Sequence, residues 1–181
     1  MLPAGHASVG YLVALGVVSL LRVPISDPLA QTLLLAGFVF GAIPDLDMFV
    51  AFFKTRSLVI ENEKKSHRTY ITHTPIFWTG ASGITALITR DPALSLIVLL
   101  APLSHLFLDT IEDEIRWLWP ISKQSFRLIT PKENLVLPKE PFFSYWRHFV
   151  VWYVKNRKIT ATLEAVMVLL FIIVLLGGLR G

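Results

Sequence analysis

Long apolar stretches constrain this chain more than any other feature of its sequence. Five of them run over about 7–21, 29–43, 75–89, 93–108 and 159–179. A helix that crosses a membrane needs about 20 mostly apolar residues, and the four shorter stretches approach that length when their polar flanks extend into the interface. The composition agrees, because only 17% of the residues are charged, against roughly a quarter in soluble domains. The sequence therefore predicts an all-α, polytopic membrane protein with about five transmembrane helices.

The basic residues predict the orientation of these helices. The net charge is +4, and in so apolar a chain basic residues more often flank membrane segments than bind nucleic acid, so we expect no nucleic-acid partner. If the five stretches alternate across the bilayer, 14 of the 17 basic residues lie on one side, within 54–72 and 109–158. The positive-inside rule assigns that side to the cytoplasm. We expect a multi-pass protein of the cell (inner) membrane with a cytoplasmic N-terminus.

The chain length of 181 residues favours one membrane-embedded domain over 1–181. We divide it into a motif core over 6–120, an interfacial segment over 121–158 and the last transmembrane helix over 159–179. Within the interfacial segment, aromatic and apolar residues recur at helical spacing: Phe142, Trp146, Phe149, Val150 and Tyr153. This spacing predicts an amphipathic helix in the plane of the membrane, on its cytoplasmic face. Aromatic anchoring is the favoured role of that helix.

Histidines and aspartates lie at the cytoplasmic ends of the predicted spans. The chain has no cysteine, so any metal must be held by His, Asp and Glu. Four separate segments bring such groups to one side: His6, Asp45, Asp47, His67, His73, His105 and Asp109. His105 and Asp109 are four residues apart and share one helix face, and ionisable groups within apolar runs usually serve function. The pattern predicts a divalent-metal site with these seven residues as candidate ligands.

Each motif also has a purely structural explanation. A single histidine at a membrane interface is more often an amphipathic filler than a ligand, and the acidic pair after Pro44 can simply end a helix. We expect His148 and Glu164 to be interfacial residues without a part in the site. The acidic run over 112–114, directly after Asp109, is expected to form a solvated turn. The convergence of seven groups is what favours the metal site.

The order of the motifs is distinctive. They are His6 with Gly10, then Pro44-Asp45-Leu46-Asp47, then His67-Arg68 followed by Thr72-His73-Thr74, and finally His105 with Asp109 before Leu118-Trp119-Pro120. In this order they resemble the YdjM-type membrane-bound, metal-dependent hydrolases of bacterial and archaeal membranes. The resemblance extends from residue 6 to about residue 120. It implies a polytopic helical hydrolase that uses divalent metal ions, similar in style to the all-α zinc phospholipases C.

The candidate ligands also suggest roles. Seven groups exceed the four ligands of one tetrahedral ion, so we expect two or more divalent ions. Nitrogen and oxygen donors suit zinc, with manganese or iron as alternatives. Asp45 and Asp47 are the candidate catalytic carboxylates, one of them bridging two ions. Arg68 is expected to take part in catalysis by binding substrate phosphate, with Thr72 and Thr74 as further donors.

These expectations describe a hydrolase of phosphate esters, acting on a phospholipid or another lipid-linked phosphate at the cytoplasmic face. A divalent-metal carrier or transporter is the main alternative, although transporters bind their substrates near the bilayer midplane. A second alternative is a non-catalytic membrane scaffold in which bound metal staples the helices together. Turnover, metal flux, and metal-dependent stability without turnover distinguish these three functions. The sequence leaves the oligomeric state open.

Overall fold

The computed structural model describes residues 1–55, 68, 70–130 and 140–178. The helices within them are α1 (Pro3–Leu20), α2 (Pro28–Ala42), α3 (Asp47–Thr55), α4 (Pro75–Thr89), α5 (Pro92–Asp109), α6 (Phe142–Asn156) and α7 (Lys158–Gly178). Two 3₁₀ turns, Ile43–Leu46 and Ile71–His73, precede α3 and α4. In this part of the chain β pairing is limited to a bridge between Ile115 and Phe126. The expected all-α fold is confirmed.

Four helical segments of the described residues are long and apolar enough to cross a membrane: Pro3–Leu20, Pro28–Lys54, Pro92–Asp109 and Lys158–Gly177. The second segment runs through α2, the 3₁₀ turn and α3. The fifth expected span, over 75–89, is helix α4. Its 15 residues extend over only about 22 Å. That length is shorter than the hydrocarbon core of roughly 30 Å. The apolar helices indicate a lipid bilayer environment.

Proline and aspartate define where several helices begin. Proline occupies the first turn of α1, α2, α4 and α5, where its missing N–H leaves no hydrogen bond unmade. Asp27 caps α2 by accepting from the Leu29 N–H at 2.8 Å, and Asp91 Oδ1 accepts from two N–H groups of α5 at 2.9 and 3.1 Å. The residue before α1, Leu2, has no side-chain cap to offer. Helix α1 therefore needs a partner from elsewhere for its first N–H groups.

The main core lies between α1, α2 and α5. Its buried residues are Ala14, Val17, Val18, Ala30, Leu33, Leu34, Ile97 and Ala101. In the first half of α1, its backbone contacts the backbone of α2. A Cβ added to Gly10 would lie 2.8 Å from Gly41 Cα and against the Gly37 carbonyl. Glycines four residues apart let membrane helices approach this closely. The contact brings the first turns of α1 against the last turn of α2.

Helix α6 packs beside α3. Phe52 and Tyr145 are fully buried there, and Phe142, Trp146 and Phe149 pack around them. The helix forms over the residues predicted from the aromatic spacing, and part of its aromatic face is used against α3. This contact holds α3, whose first residue is Asp47 of the acidic motif.

Candidate metal centre

Four buried side chains from separate parts of the chain converge at one end of the core. His6 lies in the first turn of α1, Asp45 lies in the 3₁₀ turn after α2, and His105 and Asp109 occupy the last turns of α5. We call them the His/Asp group; one potential ligand atom from each lies within 4.8 Å of the other three. His6 Nε2 is 3.1 Å from Asp109 Oδ1 and 3.9 Å from Asp45 Oδ2. His105 Nε2 is 3.6 Å from Asp45 Oδ1 and 3.7 Å from Asp109 Oδ2.

These separations suit a small cation. Two ligands about 2.1 Å from a tetrahedral centre lie about 3.4 Å apart, within the range of the distances observed. Imidazole nitrogen with carboxylate oxygen is a donor set suited to zinc, iron and manganese. Burying two carboxylates together is costly unless positive charge offsets them. The His/Asp group can therefore hold a metal ion.

A backbone hydrogen bond orients His105. Its Nδ1 is 2.8 Å from the Gly41 carbonyl oxygen; because a carbonyl can only accept, Nδ1 carries the proton and Nε2 presents a lone pair. Among the described residues, Nε2 has no hydrogen-bond partner. The His6 ring stacks on His105, with ring centroids 3.6 Å apart. A histidine that donates its second N–H to a carbonyl in this way is a common feature of metal sites.

His73 and Asp47 form a second histidine–carboxylate pair beside the group. His73 Nδ1 donates to Asp47 Oδ2 at 3.0 Å, and the Thr72 hydroxyl donates to the same oxygen. His73 Nε2 lies 3.9 Å from Asp109 Oδ2. The structure thus separates the two aspartates of the acidic motif. Asp45 lies within the His/Asp group, whereas Asp47 contacts the far nitrogen of His73.

Arg68 lies at the edge of the group. Its Nε donates to Asp109 Oδ2 at 2.8 Å, and its Nη2 lies 3.0 Å from Asp113 Oδ2. Burial lowers the pKa of Arg68, but the carboxylates of Asp109 and Asp113 outweigh burial and hold that pKa above its ordinary value. The guanidinium therefore stays charged. The Met1 amino group also contacts Asp109, at 2.9 Å from Oδ1.

The remaining predicted residues have other surroundings. Thr74 precedes α4, and its hydroxyl, a candidate donor to substrate, donates to the Ile71 carbonyl at 2.6 Å. The Thr72 hydroxyl is used by Asp47. His67 lies outside the described residues. His148 is half exposed and 3.1 Å from Glu140, which agrees with its expected place outside the site.

Two acidic residues are buried by partners from other segments of the chain. Glu112 is buried rather than solvated: its carboxylate accepts from the Thr160 hydroxyl at 2.5 Å, and Arg157 donates to its carbonyl at 2.8 Å. Glu164 is buried against the start of α1. The sequence signal for Glu164 was an acid within the most apolar helix. Nothing local indicated which helix it would contact.

Comparison with known proteins adds a family. The sequence profile of the family described as YdjM inner membrane protein matches residues 1–180. The match extends past the motif core to include α6 and α7. No curated protein and no solved structure shows significant similarity to the chain.

Proposed function

The chain belongs to the YdjM inner membrane protein family, and on that premise we propose that its His/Asp group is the metal centre of a membrane-bound hydrolase. The proposed substrate is a phosphate ester, a phospholipid or another lipid-linked phosphate, at the cytoplasmic face. The observation that carries the proposal is the buried convergence of His6, Asp45, His105 and Asp109. Such a group has the donor types that hydrolytic metal sites use.

The contacts suggest how the ligands divide their work. Asp45 is the candidate catalytic carboxylate that would hold an ion together with both histidines of the group, because its Oδ2 faces His6 and its Oδ1 faces His105. His73 directs Nε2 towards Asp109 and is the candidate ligand for a second ion. Asp47 holds His73 in that orientation and acts through it. A bound divalent ion supplies Lewis acidity, which polarises a phosphoryl oxygen and makes water acidic.

Arg68 is the proposed phosphate-binding residue. Its charged guanidinium is planar and offers paired N–H groups that match two phosphate oxygens. Contacts to Asp109 and Asp113 hold it beside the group, and its side chain is 17% exposed, whereas those of His6 and His105 are fully buried. Arg68 thus lies between the buried donors and the surface from which a substrate approaches.

The position of the group along the helices favours a lipid-linked substrate. His6 lies in the first turn of a membrane-length helix and Asp109 at the end of another, and Asp45 lies in the 3₁₀ turn that interrupts the 28–54 segment. The ends of helices that are long enough to cross the membrane lie near the level of the lipid headgroup phosphates. A transporter would place its site near the bilayer midplane. The positive-inside pattern of the sequence supports the cytoplasmic face.

The test combines metal analysis with turnover of purified protein in detergent. We expect wild-type protein to carry divalent metal and to hydrolyse a phosphodiester such as bis(p-nitrophenyl) phosphate or phospholipid in mixed micelles. Asp45→Ala and His105→Ala should lose metal and at least about 100-fold in turnover. Asp91→Ala is the matched control, because that acid caps the opposite end of α5.

Three outcomes would contradict the proposal. Unchanged turnover in Asp45→Ala would exclude the His/Asp group as the hydrolytic centre. Metal flux into proteoliposomes without turnover would favour a carrier. Metal-dependent stability with neither flux nor turnover would favour a scaffold.

A further inference from the structure

Glu164 is a buried acid in a helix whose only other ionisable residue is Lys158. An acid within a membrane helix is costly and normally has partners that explain it. Three donors contact the Glu164 carboxylate. The Leu2 N–H lies 3.1 Å from Oε2, the Gly5 N–H lies 3.3 Å from Oε1, and the Tyr153 hydroxyl lies 2.8 Å from Oε2.

Two of these donors belong to the beginning of α1, and the Gly5 N–H is shared between Glu164 and the Leu2 carbonyl, which lies at 3.0 Å. The first N–H groups of a helix have no partner within it, and the positive end of the helix dipole favours a carboxylate there. A glutamate in the first turn of the same helix often supplies that carboxylate, but α1 has no acid in its first turn. Glu164 supplies it from α7. The chain is fitted to this contact, because a Cβ on Gly5 would lie only 2.6 Å from Glu164 Cγ.

Helix α6 and the rest of α7 support the same contact. Burial raises the pKa of Tyr153, so its hydroxyl keeps the proton that it donates to Glu164. One helical turn before Glu164, Thr160 donates to Glu112 in the turn that follows Asp109. Helix α7 therefore hydrogen-bonds through Glu164 to the segment that carries His6, and through Thr160 to the segment that follows Asp109. Within the His/Asp group, His6 Nε2 and Asp109 Oδ1 are 3.1 Å apart.

We propose that Glu164 is a positioning residue for the metal centre: by capping α1 from α7, it fixes the first turn of α1 and hence the position of His6. His6 follows Gly5 directly, so a shift of the capped turn moves the imidazole relative to Asp109. The inference rests on the proposed function in one respect, since it takes His6 to be a metal ligand. It assigns the last transmembrane helix a role in the site that its own apolar sequence does not suggest.

The test is a Co²⁺ titration of the full-length protein in detergent, followed by visible absorption. Glu164→Gln keeps the shape of the side chain but turns one acceptor oxygen into a donor that faces N–H or O–H groups. We expect about 10-fold weaker Co²⁺ binding and a changed Co²⁺ spectrum. Asp91→Asn is the matched control: it removes a helix-capping carboxylate at the far end of α5 and should leave affinity and spectrum unchanged.

A double-mutant cycle separates positioning from general stability. In a His6→Ala background, Glu164→Gln should cause no further loss of Co²⁺ affinity, because the ligand that it positions is gone. Tyr153→Phe, which removes one donor to Glu164 and keeps the ring, should weaken binding in the same direction but less, and serves if Glu164→Gln does not fold.

The outcomes are distinct. Wild-type affinity in both Glu164→Gln and Tyr153→Phe, or an equal loss from Glu164→Gln with and without His6, would overturn this inference and leave the proposed function standing. A wild-type protein that binds no Co²⁺ or Zn²⁺ would overturn both.

Discussion

Replacing Gly10 by alanine tests whether the α1–α2 backbone contact sets the geometry of the His/Asp group. The added Cβ would lie 2.8 Å from Gly41 Cα, about 1 Å inside an ordinary carbon–carbon contact of roughly 3.8 Å. The Gly37 carbonyl blocks it as well. Because these neighbours are backbone atoms, no side-chain rotation relieves the clash. The two helices must separate by about 1 Å.

The separation acts on the metal centre through residues that are close to the contact. His6 is one turn before Gly10, and Asp45 is the third residue after the end of α2. Moving the helices apart by about 1 Å lengthens the distance from His6 Nε2 to Asp45 Oδ2 from 3.9 Å to about 5 Å. Two ligands of a tetrahedral ion lie only about 3.4 Å apart. Overpacking of this kind costs about 1–3 kcal/mol. If the metal-bound state bears 1.4 kcal/mol of this cost more than the metal-free state does, metal binding weakens about tenfold.

Gly16→Ala is the control on the same helix, because a Cβ there meets nothing within 4 Å. Alanine favours a helix over glycine by about 0.5–1 kcal/mol, so this variant should be as stable as wild type or more so. Thermal unfolding in detergent and Zn²⁺ titration measure both effects. If Gly10→Ala bound metal like wild type and unfolded at the temperature of Gly16→Ala, the glycine contact would not set the site.

Other predictions concern individual contacts of the site. Asp47→Asn should weaken metal binding about 10- to 100-fold because it disturbs the carboxylate that orients His73, whereas Asp27→Asn, which alters only a distant helix cap, should bind like wild type in the same titration. Removing metal with a chelator should lower the free energy of unfolding of the wild-type protein by about 2.7 kcal/mol, compared with protein at a free metal concentration of 100 times the dissociation constant. An equal loss in His105→Ala would contradict binding at this site. Arg68→Lys replaces a two-contact fork by one ammonium, so inorganic phosphate should inhibit turnover about tenfold less strongly, and unchanged inhibition would remove Arg68 from the phosphate site.

The sequence was sufficient to predict α1, α2 and α4 to α7, though not α3, and the end of the fold at which the histidines and aspartates meet. Apolar runs preceded by proline mark helices clearly, and α4 covers the same residues, 75–89, in sequence and structure. The meeting of His6, Asp45 and Asp109 follows from antiparallel neighbours, since a chain that crosses and returns brings alternate helix ends together. Length was harder to judge, because polar flanks extend the other spans but not α4.

The sequence did not distinguish residues whose roles depend on contacts between segments. Asp45 and Asp47 are two residues apart in one motif, and only the 3₁₀ turn and the approach of His73 direct one into the group and the other behind a histidine. Glu164 and Glu112 were expected to meet water or headgroups. Thr160 lies 48 residues from Glu112, and Gly5 lies 159 residues from Glu164, and no local periodicity indicates such pairings.

The contacts that frame the site bear on whether metal serves chemistry or merely staples helices. Gly10 meets Gly41 through the backbone, Glu164 caps α1, and Thr160 fastens Glu112. None of these contacts uses a side chain of the His/Asp group, so the helix ends are held together by interactions that do not depend on an ion. A metal that was needed only as a staple would duplicate them. Preorganised donors are instead what a reactive centre requires, and chelation should therefore abolish turnover while the helices stay folded and packed.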